Sequence, residues 1–426
     1  MSVEAIFALL FTFIVLLIFL ELFHRAVAAL IGAFLATYFG LVYHVITYEE
    51  IFTFIDFKLL IFVIGVYIIV EVLDRAGVFH FIALILINLV GASPRRLTIL
   101  FPLMTILFSA FLSNIAAMVI VATLTVAITK RVKVDPLPYL ILESIIANIG
   151  GMALIISSIP NMLVGLKAGF TFLDFLVFSF PLMTILTVIT VLAFRRTLLK
   201  VDAVEERGIE KFDPWSAVKD RRVFTRSLFI FVLTLVLLVF CDRIGVGMEA
   251  VASGGAVALL ALTGIDLEDV LRHIDWGTIF FFGGFFILVG SVERSGLLSL
   301  LAHKLLAFSQ GNPALFTLLI LWFSAFLSGV VDNIPVTLTL IPIIQTAIVE
   351  TGFKAAPLWW SLIFGVAVGG NLTPLSSPTG IAAMGILDKE GYTDYFHQFL
   401  KVGFLASMLL LAVATIYTYL LFLILG

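Results

Sequence analysis

Few side chains in this sequence could do chemistry, and they fall into two sets that match at a fixed spacing. Ser113-Asn114 is answered by Asp332-Asn333, Gly150-Gly151 by Gly369-Gly370, and Ser157-Ser158 by Ser376-Ser377, each 219 positions on (332 − 113 = 219). The same offset aligns residues 56–158 with 275–377 without a gap, carrying Asp56 to Asp275, Arg75 to Arg294 and Pro138 to Pro357. Glycine permits close backbone approach, and Ser, Asn and Thr supply neutral donors and acceptors. Where such residues interrupt a helix, free N–H groups suit an anion and freed carbonyls suit a cation. This is chemistry for holding a small ion or polar solute. An enzyme would need a nucleophile with its base, a paired acid or a metal cluster, and the sets contain none.

Asp332 stands apart. A lone Asp at the centre of a bilayer costs ~2.5–3.5 kcal/mol on insertion scales, and its counterpart at the offset is the neutral Ser113. One ionisable group therefore distinguishes the two Asn-tipped segments, which points to a cation or proton site at Asp332. The plainer alternative is a helix cap on Asn333 and Ile334. Glu143, matched by Leu362, lies about a turn and a half into its helix and reads as a structural or snorkelling acid facing a basic inner surface. Glu71, Asp74 and Arg75 read as an interfacial charge cluster.

These residues must be positioned by membrane helices. The chain is 62% hydrophobic and 12% charged, and nearly every segment between charged clusters is long enough to span a bilayer. The predicted fold class is an all-α polytopic membrane protein. Spans are predicted at 3–22, 26–45, 57–73, a helix from Pro138 interrupted at Gly150-Gly151, and 172–194, with a short apolar stretch at 79–91. Residues 97–130 form two arms around Ser113-Asn114. The second half repeats the pattern at 227–242, 247–264, 276–292, 297–309, 314–349, 358–387 and 396–425. If the two Asn-tipped segments dip in and return, each half holds five crossings, a re-entrant hairpin and a discontinuous helix. Five is odd, so the second repeat is inverted. The domains are then 1–197, a cytoplasmic linker 198–226, and 227–426. With segment 195–226 inside, the twenty-five Lys and Arg divide nineteen to six in favour of the cytoplasm, as the positive-inside rule requires. Both termini then face outward. The diglycines lie about twelve residues into their helices, roughly 18 Å deep in a ~30 Å core, so the four polar elements converge at one level.

Net charge is −3, which implies no attraction to nucleic acid. A single Cys241 and six histidines without ligand spacing leave no thiolate or haem site. No cofactor is expected, and any bound metal is limited to a coupling Na⁺.

The motifs resemble those of the ion transporter superfamily, in the branch of arsenite permeases, NhaD-type sodium/proton antiporters and the melanosomal P protein, with a citrate-transporter-like membrane domain. Ser109–Asn114 reads Ser-Ala-Phe-Leu-Ser-Asn, where the branch has Asp in place of Ser113. Asn148-Ile149-Gly150-Gly151 with Pro160-Asn161, Val331-Asp332-Asn333-Ile334-Pro335 and Gly369-Gly370-Asn371-Leu372-Thr373 follow in order. The resemblance implies two hairpins, two broken helices and an inverted repeat, assembled as a homodimer with a scaffold and a moving part. It also implies a first binding cluster of Ser113, Asn114, Gly150, Gly151, Ser157 and Asn161. The second would be Asp332, Asn333, Gly370, Asn371, Thr373, Ser376, Ser377 and Thr379. The run Ser376–Thr379, with Pro374 and Pro378, departs from the branch pattern at the place where the solute would be chosen.

The expected function is ion-coupled secondary active transport, by alternating access in the cell membrane, of a small anion or neutral oxyacid (arsenite-like or carboxylate). Asp332 would carry the coupling Na⁺ or H⁺. A Na⁺/H⁺ antiporter using Asp332 and a passive anion channel are the alternatives. No Arg or Lys falls in the predicted site, which argues against a highly charged solute held by side chains alone.

Overall fold

Only a helix or a closed barrel satisfies every backbone group inside a bilayer, and the described residues contain helices and no strand. The computed structural model describes residues 2–20, 22–90, 94–197, 212–392 and 395–425. The first half holds α1 (Val3–Phe19), α2 (Arg25–Val42), α3 (Tyr48–Phe54), α4 (Phe57–Arg75), α5 (Val78–Val90), α6 (Pro94–Ser109), α7 (Asn114–Arg131), α8 (Leu137–Gly150), α9 (Ile159–Ala168) and α10 (Phe172–Asp174). A π-helical turn at Phe175–Ser179 leads into α11 (Phe180–Thr197). The second half holds α12 (Arg221–Phe240), α13 (Met248–Thr263), α14 (Leu267–His273), α15 (Trp276–Arg294), α16 (Leu297–Phe308), α17 (Pro313–Ser328), α18 (Asn333–Thr351), α19 (Ala355–Gly369), α20 (Pro378–Lys389) and α21 (Tyr395–Leu425).

Eight described helices are long and apolar enough to cross a membrane, or nine if the pair α16–α17, bent by 120°, is one span. The chain is an integral membrane protein with a ring of outward apolar side chains, Phe34, Phe229, Leu405 and Ile416 among them. Neither α8 nor α19 is long enough to cross alone, as a helix broken midway must be. Most predicted spans recur within a few residues. The short α3 and α14 were not foreseen. They are each other's counterparts (48 + 219 = 267) and are capped by Thr47 and Asp266. Of the linker, residues 198–211 lie outside the described residues, while Phe212 is held by two hydrogen bonds to Asn88, 2.7 and 3.0 Å. The predicted charge cluster is present: Arg75 Nε meets Glu71 at 2.6 Å, with Asp269 and His273 beside it.

Matching positions make matching contacts. Gly65 lets α4 close on the backbone of Ala252 and Ser253 in α13, and Gly284 lets α15 close on Ala29 and Leu30 in α2. A Cβ at either would sit 2.9 or 2.7 Å from a carbonyl carbon. The α4–α13 and α2–α15 pairs thus form a frame in which each half lends one helix to the other. The broken helices interlock likewise. In the first half α6 lies on α8, and in the second α17 lies on α19, while α9 crosses onto α18 and α19, and α20 onto α7 and α8.

Candidate functional site

Each hairpin turns at a side-chain cap. Ser113 Oγ accepts from Ala116 N at 3.3 Å, and Asp332 Oδ1 accepts from Ile334 N at 3.4 Å. One residue on, Asn114 and Asn333 lie against the second glycine of their own half. A Cβ on Gly151 would be 2.9 Å from Asn114 Oδ1, and one on Gly370 3.1 Å from Asn333 Nδ2. The first glycines do something else: Gly150 abuts Ser109 and Ile106, and Gly369 abuts Ala325. Of each pair, one glycine serves helix packing and the other admits the hairpin tip.

Both helix breaks are pinned in the same way. Ser157 Oγ donates to Gly151 O at 2.7 Å and Leu154 O at 2.6 Å, and Ser376 Oγ to Gly370 O at 2.9 Å and Thr373 O at 2.6 Å. Carbonyls released by the breaks are thereby satisfied inside the protein. Asn161 adds donors to Gly151 O and Leu154 O, 3.0 and 2.7 Å. Gly380 replaces it in the second half, where Thr373 Oγ1 reaches back to Gly329 O at 3.1 Å. The donor groups of Ser157, Ser376 and Asn161 are thus occupied with their own backbone. Beside the first break, Ser179 of the π turn donates to Met152 O at 2.5 Å, and Tyr417 OH donates to Phe178 O at 2.8 Å.

The halves meet at Asn148. Its Nδ2 lies 3.0 Å from Gly370 O, 2.8 Å from Asn371 Oδ1 and 2.9 Å from Ser377 Oγ. Ser377 Oγ and Thr379 Oγ1 are 2.8 Å apart, and Ser144 Oγ is 3.3 Å from Thr379 Oγ1. The remaining amide atoms, Asn148 Oδ1 and Asn371 Nδ2, are buried with no hydrogen-bond partner among the described residues, as is Asn114 Oδ1. Buried polar atoms are rarely left so, and these three border the place where the predicted elements converge. Asn148 was quoted among the motif residues but not predicted as a site residue. The halves differ at their tips: Ser328 Oγ donates to Asn333 Oδ1, whereas the equivalent Ser109 Oγ and Asn114 Oδ1 are both unpartnered.

Two sequence expectations need correction. The site is not free of cationic side chains. Arg25, at the start of α2, donates to Asp332 Oδ2 at 3.2 Å, Asp275 Oδ2 at 3.1 Å and Thr278 Oγ1 at 2.7 Å. Asp332 is therefore one of two carboxylates sharing an arginine, which is how charge is accommodated in membranes. Nothing in the sequence links residues 25 and 332, which lie on different elements of different halves. Nor does Glu143 snorkel. It is fully buried, with Thr125 Oγ1 donating to Oε1 at 2.5 Å and Oε2 without a partner.

Broken helices, tipped hairpins and a neutral polar centre between two halves are the parts of a membrane transporter. Residues 14–365 match the family model described as CitMHS, citrate transporter, and the chain belongs to that family, within the ion transporter superfamily. An uncharacterized transporter of Mycobacterium tuberculosis is 30% identical over 384 residues, covering 88% of this chain and 90% of the relative. The P protein of Mus musculus is 28% identical over 472 residues, covering 91% of this chain and 56% of that protein. Among solved structures, the YdaH transporter of Alcanivorax borkumensis superposes with a TM-score of 0.55 at 13% identity, covering 89% and 88% of the two chains, which shows a shared fold. The family is described as a citrate transporter, and the mycobacterial relative is named as a transporter.

Proposed function

We propose that the chain is an ion-coupled secondary transporter that moves a small anion or neutral oxyacid by alternating access, binding it between the hairpin tips and the two helix breaks. The observation that carries this reading is the buried Asn148–Asn371 contact. It joins the halves through neutral amides and leaves one acceptor and one donor unmatched. A site closed by broken backbone can open and reseal without moving a large permanent charge through lipid. The family description supports a carboxylate as the first solute to test, with an arsenite-like oxyacid next. Asp332 is the coupling group in this reading. A cation or proton arriving there competes with Arg25, and the exchange frees or fixes the second hairpin against α2 and α15.

The same arginine-bound pair of carboxylates gives the Na⁺/H⁺ antiport reading its support, since Asp275 and Asp332 together could replace Arg25 by Na⁺. Flux in proteoliposomes across citrate, succinate, arsenite, phosphate and Na⁺, with imposed proton or sodium gradients, separates the two. Gradient-driven uptake of a carboxylate or oxyacid supports the main reading. Pure Na⁺ movement that depends on pH transfers the role to antiport, and flux of none of the five removes both. The orientation proposed is both termini outside and the linker in the cytoplasm, in a homodimer.

A further inference from the structure

Glu143 is an acid that the reading above does not use. It sits six residues into α8, ~9 Å from the helix start, and a second carboxyl-sized charge has no obvious structural reason to be there. Thr125 of α7 donates to one oxygen, and the other has no partner among the described residues. The titratable groups facing it are Tyr139 on its own helix and Tyr395 on α21. The Tyr395 hydroxyl is itself buried, beside both Glu143 and Ser144. Of the helices packed on α8, α6, α7, α11 and α20 carry charged residues only at their ends, α21 carries His397 and Lys401 in its first two turns, and α19 carries none. Among the described residues no arginine or lysine pairs with the carboxyl, in contrast with Asp332. An ionised carboxylate so enclosed is costly, and the neutral acid is the cheaper passenger.

The neighbouring Ser144 begins a continuous buried chain. Ser144 meets Thr379, Thr379 meets Ser377, and Ser377 accepts from Asn148, at 3.3, 2.8 and 2.9 Å. It ends on the amides that border the proposed solute site. It also runs between halves, because Ser144 and Asn148 belong to α8 while Ser377 and Thr379 open α20. α20, which opens at Ser377, also packs on α7, the helix that carries Thr125, and on α8, the helix of Glu143.

We propose that Glu143 is a proton-carrying site of the transport cycle, read by the solute site through Ser144, Thr379, Ser377 and Asn148. This rests on the Asn148–Asn371 region being that solute site. In the loading step a proton from bulk water forms the O–H bond of the Glu143 acid. In the unloading step that bond breaks, the carboxylate keeps the electron pair and the proton returns to water. A bound anion disfavours the ionised carboxylate nearby, so occupation of the site and protonation of Glu143 go together. Asp332 is then left to Arg25 and the coupling cation.

The test uses the full chain in proteoliposomes with radiolabelled citrate as probe, comparing wild type, Glu143→Gln and Glu143→Asp. One proton per solute changes the accumulation ratio about tenfold per pH unit of gradient. Glu143→Gln is expected to retain citrate exchange at equal pH while its gradient-driven accumulation falls to a ratio of about one. Glu143→Asp is expected to restore the pH response. Wild-type accumulation in Glu143→Gln overturns the proposal. If citrate is not moved by wild type, the solute reading has failed but this inference is still decided by infrared difference spectra. A carboxylic acid band that is lost and regained as pH is cycled in wild type and is absent in Glu143→Gln supports it, and a wild-type protein without such a titrating band overturns it. Should Glu143→Gln not reach the membrane, Thr125→Val replaces it in the spectra. A shift of the band on loss of that donor supports the assignment, and an unmoved band overturns it.

Discussion

Asn148 and Asp332 hold the site in different ways, and their replacement should fail differently. Replacing Asn148 by Ala removes the two N–H donors that its amide shares among three buried acceptors. At roughly 0.6 kcal/mol for an average side-chain hydrogen bond in a membrane protein, that amounts to about 1 kcal/mol, visible as a lower midpoint in detergent unfolding together with loss of flux. Asp332→Asn should leave stability nearly unchanged, because Arg25 keeps Asp275 and Thr278. Its effect should fall on coupled transport, with gradient-driven uptake at least about tenfold lower, one coupled ion's worth of free energy. An Asp332→Asn protein with wild-type uptake removes Asp332 from coupling. Of these residues, Asp332, Asn333 and Asn371 could be read from the chain because polar residues in an apolar run are conspicuous. Arg25 could not be placed with them. It closes a contact between the start of one span and a hairpin tip in the other half, and no local pattern encodes a pairing of that kind.

At the scale of helices, spacing and composition said a great deal. Apolar run length located the spans, and the glycine pairs followed by Ser-Ser located the breaks; a glycine pair alone does not break a span, since Gly254-Gly255 and Gly283-Gly284 sit inside the continuous α13 and α15. The same sequence signal could not divide the glycines by task. Only the packing separates Gly150, against Ser109 and Ile106, from Gly151, against Asn114. The short α3 and α14 escaped notice because seven residues give too little periodicity to register. The frame helices allow a direct comparison. Gly284→Ala places a Cβ 2.7 Å from the carbonyl carbon of Ala29 and should cost roughly 1–3 kcal/mol through overpacking. Its neighbour Gly283 has no heavy atom within 4 Å of a Cβ, so Gly283→Ala should be neutral, or stabilising by up to about 1 kcal/mol from helix propensity alone. Unfolding midpoints of the two variants check the contrast, and equal midpoints would show that α2 and α15 are not so closely apposed.

For the molecule as a whole, the fixed offset between halves is the feature most fully legible in the sequence, and it reappears as paired contacts throughout. A cysteine at Ser2 should react with an impermeant maleimide from outside in intact cells, and one at Lys219 only after permeabilisation. The native Cys241 is buried and so stays silent in that assay. Reaction of Ser2→Cys only after permeabilisation would invert the proposed arrangement. The exchange of α9 and α20 between halves has a consequence for how the protein can be assembled. Each half packs the second arm of its broken helix on the other half, α9 on α18 and α19, and α20 on α7 and α8. A gene divided within the linker should therefore yield two polypeptides that are degraded when produced singly and rescue one another when made together. The protein would behave less like two beads on a string than like a pair of clasped hands, each incomplete until the other arrives.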